Sequence, residues 1–242
     1  MTRFFVTPEQ LQSDTPVLTG ENAKHAKVLR LKCGEEVLVC DGEGNECLCA
    51  VTQLGDEITL EVKSRRASET EAAVRVSVYV AFPKADKLEH VIQKATELGA
   101  YEIVAFPSAR CISKPDEKGL AKKVERWQKI ASSAAEQSGR GRIPQVLTLP
   151  SYKAALQRAA SADKALLFYE NERATTLRMA LEKGPYATVS LLTGPEGGLE
   201  ASEVKEAMDA GLSVCTLGKR ILRCETAPLC ALAAVMYDAG EF

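Results

Sequence analysis

The first segment able to do chemistry is Leu191–Gly211, LLTGPEGGLEASEVKEAMDAG. Its apolar start predicts a buried strand that ends in the loop 193–198, and a helix is predicted near 200–210. Glycines let a backbone approach a ligand closely, and ligands of open α/β sheets bind beyond the carboxyl ends of the strands. The loop matches neither a Walker A nor a G-x-G-x-x-G pattern. Taken alone, it is better explained as a plain strand-to-helix turn.

The second segment is 213–238, SVCTLGKRILRCETAPLCALAAVMYD. Another strand is predicted to end at 217–218, where three basic residues follow closely, and an apolar helix is predicted near 226–238. Thr226 or Glu225 is expected to cap that helix. The helix itself is expected to be core or a subunit interface.

The elements that would position these loops divide the chain at about residue 72. Residues 1–72 contain short apolar runs separated by glycine-containing turns, which predict a small β-barrel or sandwich. Beyond them strands and helices alternate, which predicts a mostly parallel α/β sheet. The strands are predicted at 74–82, 101–106, 165–169, 188–194 and 213–218, and the helices at 86–98, 116–138, 172–182, 200–210 and 226–238.

Composition and charge narrow the class of protein. The 242 residues carry a net charge of −2, contain no apolar run long enough to span a membrane and begin without a secretion signal, so we expect a cytoplasmic protein. Two segments are locally basic: 24–32 has four basic residues and no acid, and 108–142 has nine Lys or Arg against four acids. Such segments suit phosphate contacts, although two solvated faces are the better explanation from charge alone.

Eight cysteines lie in apolar or strand-like runs and are expected to be mostly buried thiols. The pair Cys47 and Cys49 has no second C-x-x-C or His pair to complete a zinc set. We therefore expect no metal site.

The two C-terminal segments together resemble the motifs of the SPOUT methyltransferases and, more narrowly, the RsmE family of ribosomal RNA small-subunit methyltransferases. The resemblance is carried by GPEGG and LGKRILRCETA, and also by MTRFFV, NAKHAKVLRLKCGEEVLVCDGEG, KADKLEHVIQKATELGAYEIVAF and RWQKIASSAAEQSGRGRIPQV, in that order. It covers essentially the whole chain. The family pattern usually has Thr where this chain has Cys224, which is expected to weaken any hydroxyl hydrogen bond there.

The resemblance implies a SPOUT trefoil-knotted domain at 73–242, a PUA-like RNA-binding β-barrel at 1–72, and a homodimer. It implies S-adenosylmethionine-dependent methylation of N3 of a specific uridine in the 16S rRNA of the 30S subunit. It assigns the cofactor slot to Leu192, Thr193, Gly194, Glu196, Gly197, Gly198, Leu217, Gly218, Ile221 and Leu222.

N3 methylation removes an imide proton as the methyl group arrives, so a catalyst must stabilise negative charge on the ring and accept or guide the proton. Arg223 is the candidate for charge stabilisation, because its guanidinium fork can bind a uracil carbonyl. Glu196 and Glu225 are the candidates for proton acceptance or positioning. A structural ion pair is an equally good explanation for each of the three.

RNA contacts are implied at two places, the basic start of the barrel and the polar end of the 116–138 helix. The alternatives are a solvated surface and a capped helix end. The predicted RNA-binding residues are Arg3, Lys24, His25, Lys27, Arg30, Arg110, Gln137, Ser138 and Arg140.

Two rivals remain at this point. One is a SPOUT enzyme that acts on a ribose 2′-hydroxyl or on tRNA, which the ordered N-terminal motifs disfavour. The other is a ribosome-assembly or RNA-binding factor that keeps the fold without turnover.

Overall fold

The computed structural model describes residues 1–112, 117–182 and 184–242. Two compact units form, one from residues 1–71 with 135–143 and the other from residues 72–134 with 144–242. A single boundary at about residue 72 was predicted from the sequence. In the structure the short segment 135–143 also belongs to the N-terminal unit. No helix within the described ranges is long and apolar enough to cross a membrane.

The N-terminal unit is built on a five-stranded sheet, curled into a half-barrel, in the order β1-β3-β4-β5-β2. The β1–β3 pair is parallel and the other pairs are antiparallel, with two register shifts in the β4–β5 pair that bend the sheet. Its inward side chains form a core that includes Phe4, Val39 and Leu60. Its elements are β1 (Arg3–Phe5), α1 (Pro8–Gln12), β2 (Val17–Leu18), α2 (Gly20–Val28), β3 (Glu36–Cys40), β4 (Asn45–Gln53) and β5 (Ile58–Ala67).

Two short helices in this unit were not predicted. The helix α1 begins with a capping box, because the Thr7 side chain accepts from the Gln10 N–H while the Gln10 side chain accepts from the Thr7 N–H. The helix α2 buries only Ala23 and Ala26. Small buried residues leave little apolar periodicity to read.

The second unit contains a six-stranded, wholly parallel sheet in the order β11-β9-β10-β6-β7-β8. The predicted α/β class is confirmed. Its elements are β6 (Arg75–Ala81), α3 (Lys87–Glu97), β7 (Glu102–Phe106), α4 (Glu117–Ser138, whose end joins the first unit), β8 (Gln145–Thr148), α5 (Tyr152–Ala159), β9 (Lys164–Phe168), α6 (Leu177–Leu181), β10 (Thr188–Thr193), α7 (Ala201–Asp209), β11 (Ser213–Cys215) and α8 (Thr226–Asp238).

The central strands of this sheet are apolar because they are buried. Every residue of β7 and β9 is buried, as expected where helices cover a parallel sheet. The strand β8 and the helix α5 were missed, and α6 is shorter than the predicted helix 172–182. The predicted helix start at Asp116 and the basic Lys114 lie outside the described residues. Six cysteines are buried, whereas Cys33 and Cys230 are exposed.

Candidate active site

A cleft of about 460 Å³ opens at the carboxyl ends of β9, β10 and β11 in the second unit. Three consecutive strand-to-loop connections form it, which is where ligands of parallel sheets bind. Its lining is Lys87, Phe168, Tyr169, Glu170, Arg173, Thr193, Gly194, Pro195, Glu196, Gly197, Gly198, Leu199, Thr216, Leu217, Gly218, Lys219, Arg220, Ile221, Leu222, Arg223, Cys224 and Ala227.

The loop after β10 is held tightly against itself. A Cβ added to Gly194 would lie 3.0 Å from the Leu199 side chain and 3.3 Å from the Gly198 backbone. Gly198 has φ +68, and a Cβ there would lie 2.4 Å from a Glu170 carboxylate oxygen. The backbone conformation therefore favours glycine at 198, and a larger residue would also displace the Glu170 carboxylate.

The loop after β11 is fixed at its start and open beyond it. The Thr216 N–H donates to the Thr175 carbonyl at 2.9 Å, and the Thr216 hydroxyl accepts from the Gly218 N–H at 3.2 Å. Ile221 is 80% exposed although it lines the cleft. An apolar side chain exposed at the rim of a cleft is suited to cover an apolar ligand.

Of the ten residues predicted for the cofactor slot, nine line this one cleft. The exception is Leu192, which is fully buried within β10 and is not part of the cleft wall. Leu192 instead packs in the core of the second unit.

Lys87 forms ion pairs with both predicted carboxylates, Glu196 and Glu225. Lys87 was not predicted from the sequence as a site residue. The Lys87 Nζ atom lies 3.0 Å from Glu196 Oε1 and 3.2 Å from Glu225 Oε2. Glu196 Oε1 also accepts from the Lys84 N–H at 3.0 Å. Since Lys87 begins α3 directly beyond β6, the pairing of β6 with β10 brings these groups together.

This arrangement fixes the charge of the three groups. Burial alone would raise the pKa of Glu196, but hydrogen bonds from the Lys84 backbone and from Lys87 bring that pKa below its ordinary value. Burial would also raise the pKa of Glu225. Hydrogen bonds from its own backbone, from Cys224 and from Lys87 outweigh this effect and lower the pKa below its ordinary value. The hydrogen bond to Glu196 raises the pKa of Lys87. At neutral pH the cluster is two carboxylates on one ammonium.

Glu225 occupies the residue before α8, but neither its side chain nor that of Thr226 makes the predicted cap. The carboxylate is drawn to Lys87 instead, and the backbone N–H of Thr226 donates to the Arg223 carbonyl at 2.9 Å. The capping prediction was wrong because a charged partner competes for the same carboxylate.

Arg223 lines the cleft with an exposed guanidinium. Among the residues that the structure describes, no acceptor binds that side chain. An uncommitted guanidinium beside two paired carboxylates is available to a ligand.

Cys224 stands where the family pattern has Thr, and its buried thiol donates to Glu225 Oε2 at 3.2 Å. Burial, followed by the hydrogen bond to Glu225, raises the Cys224 pKa to about 12, so the thiol stays protonated. The substituted residue thus still supplies a donor, although a weaker one than a hydroxyl.

We expect Cys224→Thr to keep methyl-transfer activity within about threefold, because both side chains donate to Glu225. Cys224→Val has nearly the same volume without a donor and is expected to lower kcat about tenfold, since a hydrogen bond to a charged group contributes about 1.5–3 kcal/mol. Steady-state kinetics on both variants measures this. A valine variant as active as the parent would show that the donor is unnecessary.

Arg110, predicted to bind RNA, lies in the second unit and supports the loop after β10. Its Nη1 atom donates to the Gly197 carbonyl at 3.0 Å, and its Nε atom lies 3.8 Å from Glu200 Oε1. The side chain remains about half exposed, so part of it is open to a further partner.

Two arginines predicted to bind RNA are committed inside the N-terminal unit. Arg3 is buried and pairs with the buried Glu46 at 2.7 Å. Arg140 is buried and pairs with Glu71 at 2.7 Å. Neither guanidinium is free for a phosphate, so both are corrected to structural residues; sequence alone does not reveal which arginine has a buried acid beside it.

We expect Arg3→Met to lower the free energy of unfolding by about 3 kcal/mol, because the buried Glu46 loses one of its cationic partners. Urea unfolding of the variant and parent gives this difference. If stability were unchanged while RNA affinity fell, Arg3 would be a phosphate ligand after all.

The remaining predicted RNA residues lie on the surface of the N-terminal unit. Lys24 and Lys27 form exposed ion pairs with Glu21 and Asp56, which are worth little and are easily exchanged. Arg30 is exposed with φ +57. His25 Nδ1 lies 2.9 Å from Glu136 Oε1, and Gln137 is exposed while Ser138 is partly buried.

Known proteins resemble this chain over nearly its full length. The RNA methyltransferase domain family matches residues 70–236, and the RNA methyltransferase PUA domain family matches residues 18–63. Ribosomal RNA small subunit methyltransferase E of Bacillus subtilis is 37% identical over 98% of this chain and 97% of its own length. The protein of the same name from Synechocystis is 33% identical over 96% of this chain and 76% of its own length.

Among solved structures, ribosomal RNA small subunit methyltransferase E from Neisseria gonorrhoeae, bound to S-adenosyl methionine, has a TM-score of 0.88 and 33% identity to this chain. It is matched over 98% of this chain and 97% of that chain. Sequence and structure agree over both compact units. This chain therefore belongs to the ribosomal RNA small subunit methyltransferase E family of RNA methyltransferases.

Proposed function

We propose that this protein transfers a methyl group from S-adenosylmethionine to N3 of a specific uridine in the 16S rRNA of the small ribosomal subunit. The carrying observation is that nine of the ten predicted cofactor residues line one cleft with Arg223, whose guanidinium has no acceptor among the described residues. The Neisseria gonorrhoeae relative, whose structure holds S-adenosyl methionine, supports the choice of cofactor. The names of the relatives support ribosomal RNA of the small subunit as the substrate.

The cleft fits the proposed cofactor in size and chemistry. Its volume of about 460 Å³ lies in the range of small-molecule sites. Leu199, Leu217 and Leu222 offer an apolar wall, while backbone groups of the loops at 193–198 and 216–218 are at hand for polar edges. Glu170 and Glu196 give the cleft negative charge, which suits a sulfonium cation.

When bound, S-adenosylmethionine supplies the methyl group in an activated form. Arg223 binds a uracil carbonyl and stabilises the negative charge that develops on the ring as N3 loses its proton to solvent water. Glu196 and Glu225 are paired with Lys87 and have lowered pKa values, which favours positioning over proton acceptance. We thus propose charge stabilisation for Arg223 and positioning for Glu196 and Glu225.

In the second unit, the half-exposed Arg110 is proposed to contact the RNA. In the N-terminal unit, Lys24 and Lys27 of α2 and the following Arg30 are exposed, and the ion pairs of the two lysines can be exchanged for phosphates. His25, Gln137 and Ser138 are proposed as nearby polar contacts. Arg3 and Arg140 are left out of this interface because each is buried against an acid.

Three further properties are proposed on the resemblance. A trefoil knot is supported by the sheet order, since β9 lies between β10 and β11 while the following α8 returns to pack against α3, β6 and β10. A homodimer is supported by Tyr237 of α8, which is 75% exposed. The cytoplasm is the expected location, because ribosomal subunits are the proposed substrate.

The substrate class is tested by offering several acceptors to one enzyme. Labelled S-adenosylmethionine is incubated with 30S subunits that lack the modification, with 50S subunits and with tRNA. We expect label in 30S subunits alone, within 16S rRNA. Label in tRNA would favour the rival SPOUT activity. Cofactor binding without transfer to any acceptor would favour a non-catalytic RNA-binding protein.

A further inference from the structure

Lys87 joins three elements at the mouth of the cleft. It lies in the first turn of α3, Glu196 lies in the loop after β10, and Glu225 directly precedes α8. The side chains of Lys87, Glu196 and Glu225 are 29%, 27% and 22% exposed, so solvent screens this cluster only in part. One ammonium group therefore bridges two carboxylates that would otherwise repel each other.

The turn before α3 is shaped for this contact. Ala85 has φ +52, a left-handed conformation that is unfavourable for a non-glycine residue. The turn directs the Lys84 N–H and the Lys87 ammonium to the same Glu196 oxygen, each at 3.0 Å. Strain kept where a backbone and a side chain converge on one group indicates a functional constraint.

The state of Arg223 gives this cluster a consequence for the reaction. Arg223 and Glu196 line the same cleft, and Glu225 is two residues from Arg223 in the chain. In the part of the chain that the structure describes, the Arg223 side chain is nevertheless unpaired. The carboxylates of Glu196 and Glu225 are paired with Lys87 instead.

We propose that Lys87 is a positioning residue that occupies Glu196 and Glu225 and so leaves the Arg223 guanidinium unpaired for the uracil ring. This inference rests on the proposed function, because it concerns the same site and the same reaction. Lys87 acts through the two carboxylates and need not touch the substrate. Without it, a freed carboxylate would pair with Arg223 and cancel the charge that stabilises the transition state.

Three variants test the proposal by changing the charges of this cluster and measuring the effect on kcat and KM. Lys87→Met is expected to lower kcat about tenfold while KM for the RNA changes by less than about threefold, because the lost interaction acts in the transition state. Lys87→Arg keeps the cation and should recover most of the activity. In the Lys87→Met background, Glu225→Gln removes the carboxylate charge that competes for Arg223, so kcat should rise. The effects of the two substitutions on kcat are then not additive.

A second readout needs neither cofactor nor RNA. With glutamate labelled at the carboxyl carbon, NMR titration follows the pKa of Glu196 and Glu225 directly. Both should titrate below the ordinary range in the parent protein and shift upward in Lys87→Met. The titratable side chains in contact with Lys87 are Glu196, Glu225 and Cys224, and the Cys224 thiol stays protonated over this range.

The outcomes separate the two levels of inference. A Lys87→Met variant that keeps the parent kcat, or whose loss Glu225→Gln fails to relieve, overturns the role of Lys87 alone. Unchanged carboxylate titration in Lys87→Met also overturns it. A parent enzyme that methylates no RNA overturns the proposed function, whatever the titrations give.

Discussion

Arg223→Ala is expected to lower kcat for methyl transfer at least a hundredfold, the usual loss when one group that stabilises developing negative charge is removed. The guanidinium lines the cleft, is exposed and, among the described residues, has no acceptor of its own. Affinity for S-adenosylmethionine should change little, because Arg223 is not among the residues predicted to bind the cofactor. Single-turnover kinetics together with calorimetric binding separates the two effects.

Arg178→Ala is the matched control for this result. Arg178 is an exposed arginine on α6 that lies outside the cleft, so its loss changes the net charge by the same amount. We expect the control to keep its kcat. Arg223→Lys should fall between parent and alanine variant, since lysine keeps the charge but not the two-pronged fork. An Arg223→Ala enzyme with full activity would contradict the assignment of Arg223 to the uracil ring.

Gly198→Ala is expected to weaken binding of S-adenosylmethionine at least tenfold, which corresponds to about 1.4 kcal/mol. Gly198 has φ +68, and the added Cβ would lie 2.4 Å from Glu170 Oε1. Either the Glu170 carboxylate must then swing aside or the loop after β10 must shift, and both line the cleft. Calorimetric titration with the cofactor measures the loss.

Gly211→Ala serves as the control for backbone strain. Gly211 has φ +93 with nothing within 4 Å of an added Cβ, so the substitution carries the left-handed strain without a collision. Both variants should be destabilised by about 1–2 kcal/mol. Only Gly198→Ala should lose cofactor affinity. If both variants bound the cofactor as the parent does, the loop after β10 would not be part of the cofactor site.

The elements that were predicted best from the sequence are those in which most residues are apolar and buried. The helix α8, predicted at 226–238, is found at Thr226–Asp238, and the apolar strands β6, β7, β9, β10 and β11 are all present. The strand β8 buries only Val146, so its pattern is weak. The helix α5 did leave a signal, because Ser151 caps a helix whose Tyr152, Ala155, Leu156 and Ala159 are buried at helical spacing.

The candidate site was predictable where it is contiguous in the chain and missed where it depends on sheet order. The loops at 193–198 and 216–223 carry their own glycine pattern. Lys87 is remote in sequence from Glu196, and Phe168 ends a third strand that Glu170 follows. Only the placement of β6 and β9 on either side of β10 brings these residues to the cleft. The buried partners of Arg3 and Arg140 likewise required the fold.

The most direct test of the central claim is the identity of the methylated nucleoside. The enzyme is incubated with labelled S-adenosylmethionine and 30S subunits that lack the modification, and the 16S rRNA is then digested to nucleosides and separated beside standards. We predict that the label is recovered as N3-methyluridine. Label in a 2′-O-methylated nucleoside, in another base, or in no nucleoside despite measurable cofactor binding would contradict the proposed reaction.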